Sequence, residues 1–495
     1  MSHGRPVISR SDRTDLPVAV VGAGPVGLAA AAHLLERGLD PVVFEAAPTA
    51  GGAVAQWGHV RLFSPWEYDV DAAAARLLEG VGWEFPERTA LPTGADLVGR
   101  YLLPLAATPD LAPRIRTGTR VVAVSREGVD KTRSVGREGR PYVVRTVRDG
   151  EVTDVRVRAV IDASGTWGAP NPLGASGLPA VGEERAAPWL TGPLPDVLGR
   201  DRARFAGRRT LVVGMGHSAA NTLLALTRLQ QEEPGTEVTW AIRGRSPARL
   251  YGGGDADGLP ARGLLGSDLR RAVHSGAVTL VREVTITALA PETDGEGLVV
   301  SGRARHGERL GLTVDAVVAA TGFRPDLELL REVRLGLDPA LEAPTRLAPL
   351  IDPNLHSCGT VPPHGEAVLA HPDEAFYVAG MKSYGRAPTF LLATGYEQVR
   401  SIAAALAGDT AAAEQVQLHL PETGICSTGL AAAEDSERAA PQGSATGTAH
   451  GRSAEVEPIA ACCGSAPEPA AAGRPSRRSA FSGPASSSAG WATRP

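Results

Sequence analysis

The sequence predicts an α/β chain of two doubly wound units, one inserted into the other, followed by a long C-terminal stretch that builds no core. Three observations predict it. A strand, a glycine turn, an Ala-rich helix and a second strand follow one another from Pro17, and a like succession starts at Thr210. Strand ends of the type Ala-Ser/Thr-Gly stand on either side of the second succession, at Ala163–Gly165 and Ala320–Gly322. From about Gly408 onward Ala, Ser, Gly, Pro and Glu dominate and few large apolar residues remain. Strands alternating with helices are the pattern of a parallel sheet covered on both faces.

In chain order, Pro17–Gly22 reads as a short buried strand, Pro25–Arg37 as a helix ending at Gly38, and Pro41–Glu45 as a second strand. β-Branched residues between Gly and Asp turns make Arg120–Ser125, Pro141–Arg148 and Val152–Ala163 a small antiparallel set. Gly165–Gly199 is a Gly/Pro-rich connector. The second unit runs through strand Thr210–Val213, helix Ser218–Gln230 and strand Glu237–Ile242, then strands near Val278–Arg282, Leu298–Ser301 and Val314–Ala320. Ala375–Ala379 is the last buried strand and Thr389–Ala407 the last helix. The tail cannot bury enough surface to offset its ordering entropy, so Ala439–Pro495 is expected to be disordered. The domain boundaries that follow are 16–170 and 316–408 for the outer unit, 171–315 for the inserted one and 409–495 for the tail.

Charge and composition narrow the function. Fifty Lys and Arg stand against 55 Asp and Glu, a formal net charge of −5, which supports neither nucleic acid nor an anionic membrane as a partner and suits a small-molecule substrate. Nearly all the positive charge is arginine, since Lys131 and Lys382 are the only lysines. Met1–Pro17 lacks the apolar stretch of a secretory signal, and the most apolar segment, Val18–Leu35, is broken by Gly22, Gly24, Pro25 and Gly27. The four cysteines imply no disulfide framework, so a cytoplasmic location is expected.

The chemistry resides in the two glycine turns. In Val18-Ala-Val-Val-Gly22-Ala-Gly24-Pro-Val-Gly27, Gly22 permits the tight turn, Gly24 lets backbone N–H groups approach a pyrophosphate, and Gly27 lets the helix pack close to the strand. Glu45 ends the next strand 21 residues beyond Gly24, where a carboxylate accepts hydrogen bonds from ribose hydroxyls and repels a 2′-phosphate. In Thr210-Leu-Val-Val-Gly214-Met-Gly216-His-Ser218-Ala219-Ala-Asn221, alanine replaces the third glycine. Arg243 stands at the end of the following strand, where a guanidinium suits a 2′-phosphate; the alternative is a solvated loop arginine, and Arg245 and Arg249 are weaker candidates. Two cradles of opposite charge preference predict Rossmann-like dinucleotide-binding domains for FAD and NADPH, with a hydride passing from nicotinamide to flavin.

On these residues the chain resembles, over about Leu16–Gly408, the flavoproteins with two dinucleotide-binding domains of the FAD/NAD(P)-binding superfamily, and among them the flavin-containing monooxygenase-like branch. The resemblance implies that Gly51-Gly52 and the following segment, with Trp57 and Arg61, lie along the flavin, and that Gly165 and Gly322 mark the crossings between an FAD domain and an inserted NADPH domain. It places Gly380 and Thr389 at the last flavin-contacting strand and helix, and Val122 among the cofactor contacts. Lys382 is a candidate for stabilising charge on reduced flavin, with a surface lysine as the alternative. Two departures stand out: Pro188–Phe205 contains no histidine of the F-x-G-x-x-x-H fingerprint, and Met381 stands where related reductases carry Asp.

Cys462-Cys463 and Cys426, in Leu420-Pro-Glu-Thr-Gly-Ile-Cys426, suit a thiophilic ion such as arsenite, and this tail resembles flavoproteins of bacterial arsenic-resistance operons; the alternative is an incidental thiol pair. Three functional readings remain. The first is an NADPH-oxidising, flavin monooxygenase-like enzyme that passes electrons to oxygen or a small acceptor. The second is a reductase using the tail thiols, and the third a non-catalytic FAD module that binds a metalloid or senses redox state.

Overall fold

The computed structural model describes residues 15–252, 257, 259–293, 295–355, 361–388 and 390–418. They belong to one compact unit, Met1–Arg438; Ala439–Pro495 lie outside the described residues.

The chain opens with strand β1 (Val18–Val21), helix α1 (Pro25–Glu36) and strand β2 (Pro41–Phe44). All four residues of each strand are buried, and α1 is buried from Val26 through Leu34, as expected of a helix that is apolar all round and covered on both sides. Short strand β3 (Ile115–Arg116) precedes an antiparallel meander of β4 (Arg120–Arg126), β5 (Tyr142–Arg148) and β6 (Glu151–Val157), and then β7 (Ala159–Asp162). The single strand expected over Val152–Ala163 is therefore two. β6 is mostly exposed at the meander edge, whereas β7 is wholly buried, and Arg158 turns the chain between them by donating its N–H to Pro17 O at 2.9 Å.

The connector contributes β8 (Leu190–Thr191), a strand not expected there. Next come β9 (Arg209–Val213), α2 (His217–Glu232), β10 (Glu237–Ala241), α3 (Pro260–His274) and β11 (Thr279–Val281). A second meander, β12 (Thr285–Pro291), β13 (Leu298–Arg303) and β14 (Arg309–Val314), leads to β15 (Ala316–Ala319). Here too one expected strand splits, at Asp315, whose carboxylate takes the Arg209 guanidinium at 2.7 Å. The chain then returns as β16 (Phe376–Val378) and α4 (Leu392–Leu406). Helix α4 starts later than expected because Leu391 stays extended, and Thr389 lies outside the described residues.

Among the described residues, the sheets are two parallel ones, ordered β16-β7-β1-β2-β3 and β11-β10-β9-β15-β8, and the two meanders. Every strand of the second parallel sheet falls between β7 and β16 in the chain. The two chain passages between the sheets are bound to each other. Asn171 donates its backbone N–H to Gly322 O at 2.9 Å, its carbonyl accepts from Thr321 Oγ1 at 2.5 Å, and its side chain accepts from Arg324 Nε at 3.1 Å. Trp167 and Phe323 stack beside this junction with centroids 5.2 Å apart. No helix of the described residues is long and apolar enough to cross a membrane.

Candidate active site

The first glycine turn is shaped by steric necessity. Gly22 holds φ +98, and a Cβ there would stand 2.8 Å from Ala163 O. A Cβ on Gly27 would stand 1.9 Å from Gly22 O, so only glycine lets α1 approach β1 this closely. Gly24 differs: no atom lies within 4 Å of where its Cβ would be, and it caps α1 with an extended backbone and no side-chain cap. The helix N-terminus therefore presents free N–H groups and a partial positive charge to open space. Glu45 sits beside this space, its carboxylate accepting from Ala23 N and Ala47 N at 2.8 Å each. Both oxygens keep a lone pair for further donors.

The second turn repeats the plan. Gly214 holds φ +134, with a would-be Cβ 1.9 Å from Ala320 O, while Gly216 caps α2 and faces space free of atoms within 4 Å. Ala219 is fully buried, so a methyl group fits where the first turn needs Gly27. Trp240 Nε1 donates to Gly214 O at 2.7 Å and braces the turn from β10. Arg243 is exposed and makes no ion pair among the described residues. Arg245, by contrast, is paired with Glu283 at 3.2 Å.

At the N-terminus of α2 lies an open cleft of about 240 Å³. The first unit supplies Trp57, Arg61 and Phe63 to it and the N-terminus of α2 supplies His217, Ser218 and Asn221; Phe390–Leu392, leading into α4, close a third side. Trp57 packs on Gly94, where a Cβ would come within 2.8 Å of its ring. The Arg61 guanidinium donates to Leu91 O at 2.6 Å at the cleft wall. Phe63 and His217 meet across the cleft with ring centroids 5.2 Å apart. Burial, with the nearby Arg262 guanidinium adding to it, pushes the His217 imidazole down to about 4, so it is neutral near pH 7.

Residues 20–82 match a family model described as an NAD(P)-binding Rossmann-like domain. A ferredoxin–NADP reductase of Salinispora arenicola is 30% identical over 329 residues, covering 66% of this chain and 79% of that protein. The chain belongs to the FAD/NAD(P)-binding oxidoreductase family. FAD and NAD(P)H are the cofactors of that family. A ferredoxin–NADP reductase of Salinispora tropica is 28% identical over the same length, again covering 66% of this chain and 79% of that protein. Among solved structures, the bacillithiol disulfide reductase Bdr of Bacillus cereus shares the fold with a TM-score of 0.59 at 20% identity, over 79% of this chain and 99% of that one. The ornithine N-hydroxylase of Kutzneria sp. 744 shares it with a TM-score of 0.54 at 16% identity, over the same shares.

Against the family frame, several expected residues converge on the turns and the cleft and others do not. Gly380 packs on the start of α1, its would-be Cβ 3.3 Å from Val26, and its N–H donates to Gln398 Oε1 at 2.8 Å. Gly52 begins a short helical turn beside the first glycine turn, where Gly51 N–H donates to Ala23 O at 2.9 Å; Gly322 O accepts from Asn171 N–H, and Gly165 holds φ +68 after β7 with no atom within 4 Å of its would-be Cβ. Val122 lies at a β-bulge between Val121 and Ala123, half exposed on the meander. Lys382 is no surface lysine: it is fully buried, with Nζ 2.7 Å from Asp162 Oδ2 and 3.1 Å from Ser164 Oγ. Its charge is balanced within the protein. Cys358, Cys426, Cys462 and Cys463 lie outside the described residues. Sequence reasoning gave no role to His217 or to Asp69, a buried carboxyl behind the cleft; the only local signal for His217 was its place directly after Gly216.

Proposed function

We propose that the chain oxidises NADPH and passes the electrons through FAD to oxygen or to a small acceptor held in the cleft. The observation that carries this reading is the pair of glycine turns, each opening a helix N-terminus onto unfilled space, with a cleft at the second of them lined by Trp57, Arg61 and Phe63 on one side and His217, Ser218 and Asn221 on the other. Bound together, the two cofactors supply two-electron chemistry, a reduced nicotinamide reducing an isoalloxazine that hands the electrons on.

In this reading residues 16–170 and 316–408 form the FAD half and 171–315 the inserted NADPH half. Gly22, Gly24 and Gly27 admit the FAD pyrophosphate to the α1 N-terminus, and Glu45 accepts ribose hydroxyls. Gly52, Trp57, Arg61, Val122, Gly165, Gly322, Gly380 and Thr389 complete the FAD contacts. Gly214, Gly216, Ser218, Ala219 and Asn221 orient NADPH, with Arg243 free to pair with the 2′-phosphate. Lys382, held by Asp162 and Ser164, is the candidate for stabilising charge on the reduced flavin.

An anaerobic titration tests the proposal. The purified protein is expected to be yellow and to be bleached by NADPH faster than by NADH. Arg243→Ala is expected to cut that preference by roughly 10- to 100-fold, the loss of one charge-assisted contact of about 1.5–3 kcal/mol. An unchanged preference refutes the assignment of the second turn. The vicinal thiols of the sequence favour a thiophilic acceptor as a second reading. Its mark is NADPH consumption that rises with arsenite and loses that rise in Cys462→Ser/Cys463→Ser.

A further inference from the structure

Behind the cleft wall lies a carboxyl group that the cofactor sites do not explain. Asp69, at the end of the helical turn Trp66–Asp69, is completely buried. Its Oδ1 accepts from Ser64 Oγ at 2.7 Å, while its Oδ2 is buried with no partner. Ser64 itself lines the cleft.

The groups that face Asp69 provide no compensating charge. Tyr396 of α4 donates its hydroxyl to the Asp69 backbone carbonyl at 2.7 Å, and Tyr101 lies alongside. The neighbouring carboxylate, Asp71, is occupied by His33 of α1 at 2.9 Å and by Ala74 N. Arg100 stacks over the Trp66 ring at 5.5 Å, and among the described residues no cation pairs with Asp69. A dry carboxylate with an empty oxygen and no counter-ion favours its protonated form. Burial accordingly pushes the Asp69 carboxyl up to about 7, against a smaller opposing effect of the Ser64 hydroxyl.

We propose that Asp69 and Ser64 form a proton relay into the cleft, supplying the proton taken up when the acceptor bound there is reduced. The relay rests on the reading given under Proposed function. A contact of 2.7 Å serves both directions: a carboxylate accepts from the serine hydroxyl, and a carboxylic acid donates to it. In the transfer, the Asp69 O–H bond breaks as Ser64 Oγ takes that proton, and the Ser64 O–H bond breaks as its own proton joins the reduced acceptor. The two electrons come from NADPH. Asp69 is left a carboxylate and regains its proton from cleft water through Ser64.

The test is the pH profile of NADPH-driven acceptor reduction in the wild-type holoenzyme, Asp69→Asn and Ser64→Ala. Wild-type turnover is expected to fall as pH rises through about 7. Both variants are expected to lose at least about tenfold in turnover at neutral pH, and to lose that inflection. Asp69→Asn reports on the fold separately. The raised pKa makes the wild-type carboxylate a cost that grows from the ordinary aspartate range and is complete above about pH 7, so the amide is expected to melt higher in alkaline buffer. Ser64→Ala keeps Asp69 and breaks only the link. Persistence of the wild-type inflection in both variants overturns the relay and leaves the Proposed function standing. Failure of NADPH to bleach the wild-type flavin anaerobically removes both.

Discussion

A Gly24→Val variant is expected to fold normally and to emerge colourless. The backbone at Gly24, φ −80 and ψ −174, is extended and open to any residue, and no atom lies within 4 Å of the position its Cβ would take. The protein alone has no objection to a side chain there. In the proposed reading, a side chain at this N-cap position occupies space at the start of α1 that the pyrophosphate has to approach. Flavin affinity is expected to fall at least about 100-fold, about 2.7 kcal/mol, with far-UV circular dichroism and melting temperature near wild type. Gly27→Val inverts the outcome. Its Cβ would stand 1.9 Å from Gly22 O, so α1 has to leave β1, and a loss of about 3 kcal/mol or more is expected before any ligand is considered. Absorbance and melting curves on the two proteins separate a position kept for a ligand from one kept for packing. A yellow Gly24→Val protein contradicts the first cradle.

Lys382→Met is expected to cost about 3–5 kcal/mol of folding stability, because it strands the Asp162 carboxylate without a counter-charge. Both side chains are fully excluded from solvent, and the ammonium is shared between Asp162 Oδ2 and Ser164 Oγ. Asp162→Asn/Lys382→Met removes both charges and is expected to recover most of the loss in denaturant titrations. Turnover of the double variant discriminates further. If the ion pair acts only by holding β7 and β16 in place, activity returns with stability; if the ammonium acts at the isoalloxazine, the double variant stays impaired.

Much of the fold was legible because its strongest signals are local. Each glycine turn sits at a fixed spacing between a strand and a helix, so Gly22, Gly27 and Gly214 announce themselves in the chain, although the carbonyls that crowd Gly22 and Gly214 belong to Ala163 and Ala320, more than 100 residues away. What stayed hidden depended on the rest of the molecule. The apolar run through Val157 and Ala159, like that through Val314 and Ala316, continues across a point where the chain changes sheets, and periodicity cannot register the change. Helix α3 went unread because its buried face is Arg262, Gly263, Gly266 and Leu269, which leaves almost no apolar stripe. Lys382 was singled out for its rarity, yet its partner comes from a strand far off in sequence. The site shows the same division. The glycine turns and the helix starts after them could be read, whereas the meeting of Phe63 with His217 and the bond from Ser64 to Asp69 arise from folding and leave no spacing to recognise.

The knot of bonds around Asn171 limits how the two parallel sheets can shift past one another. Since the outgoing and returning chains are tied to one another there, neither sheet can slide along the other without breaking those bonds. Trp167, which lines the cleft, also packs on Phe323 of the returning chain, so a disturbance of this junction reaches the cleft wall through a single ring contact.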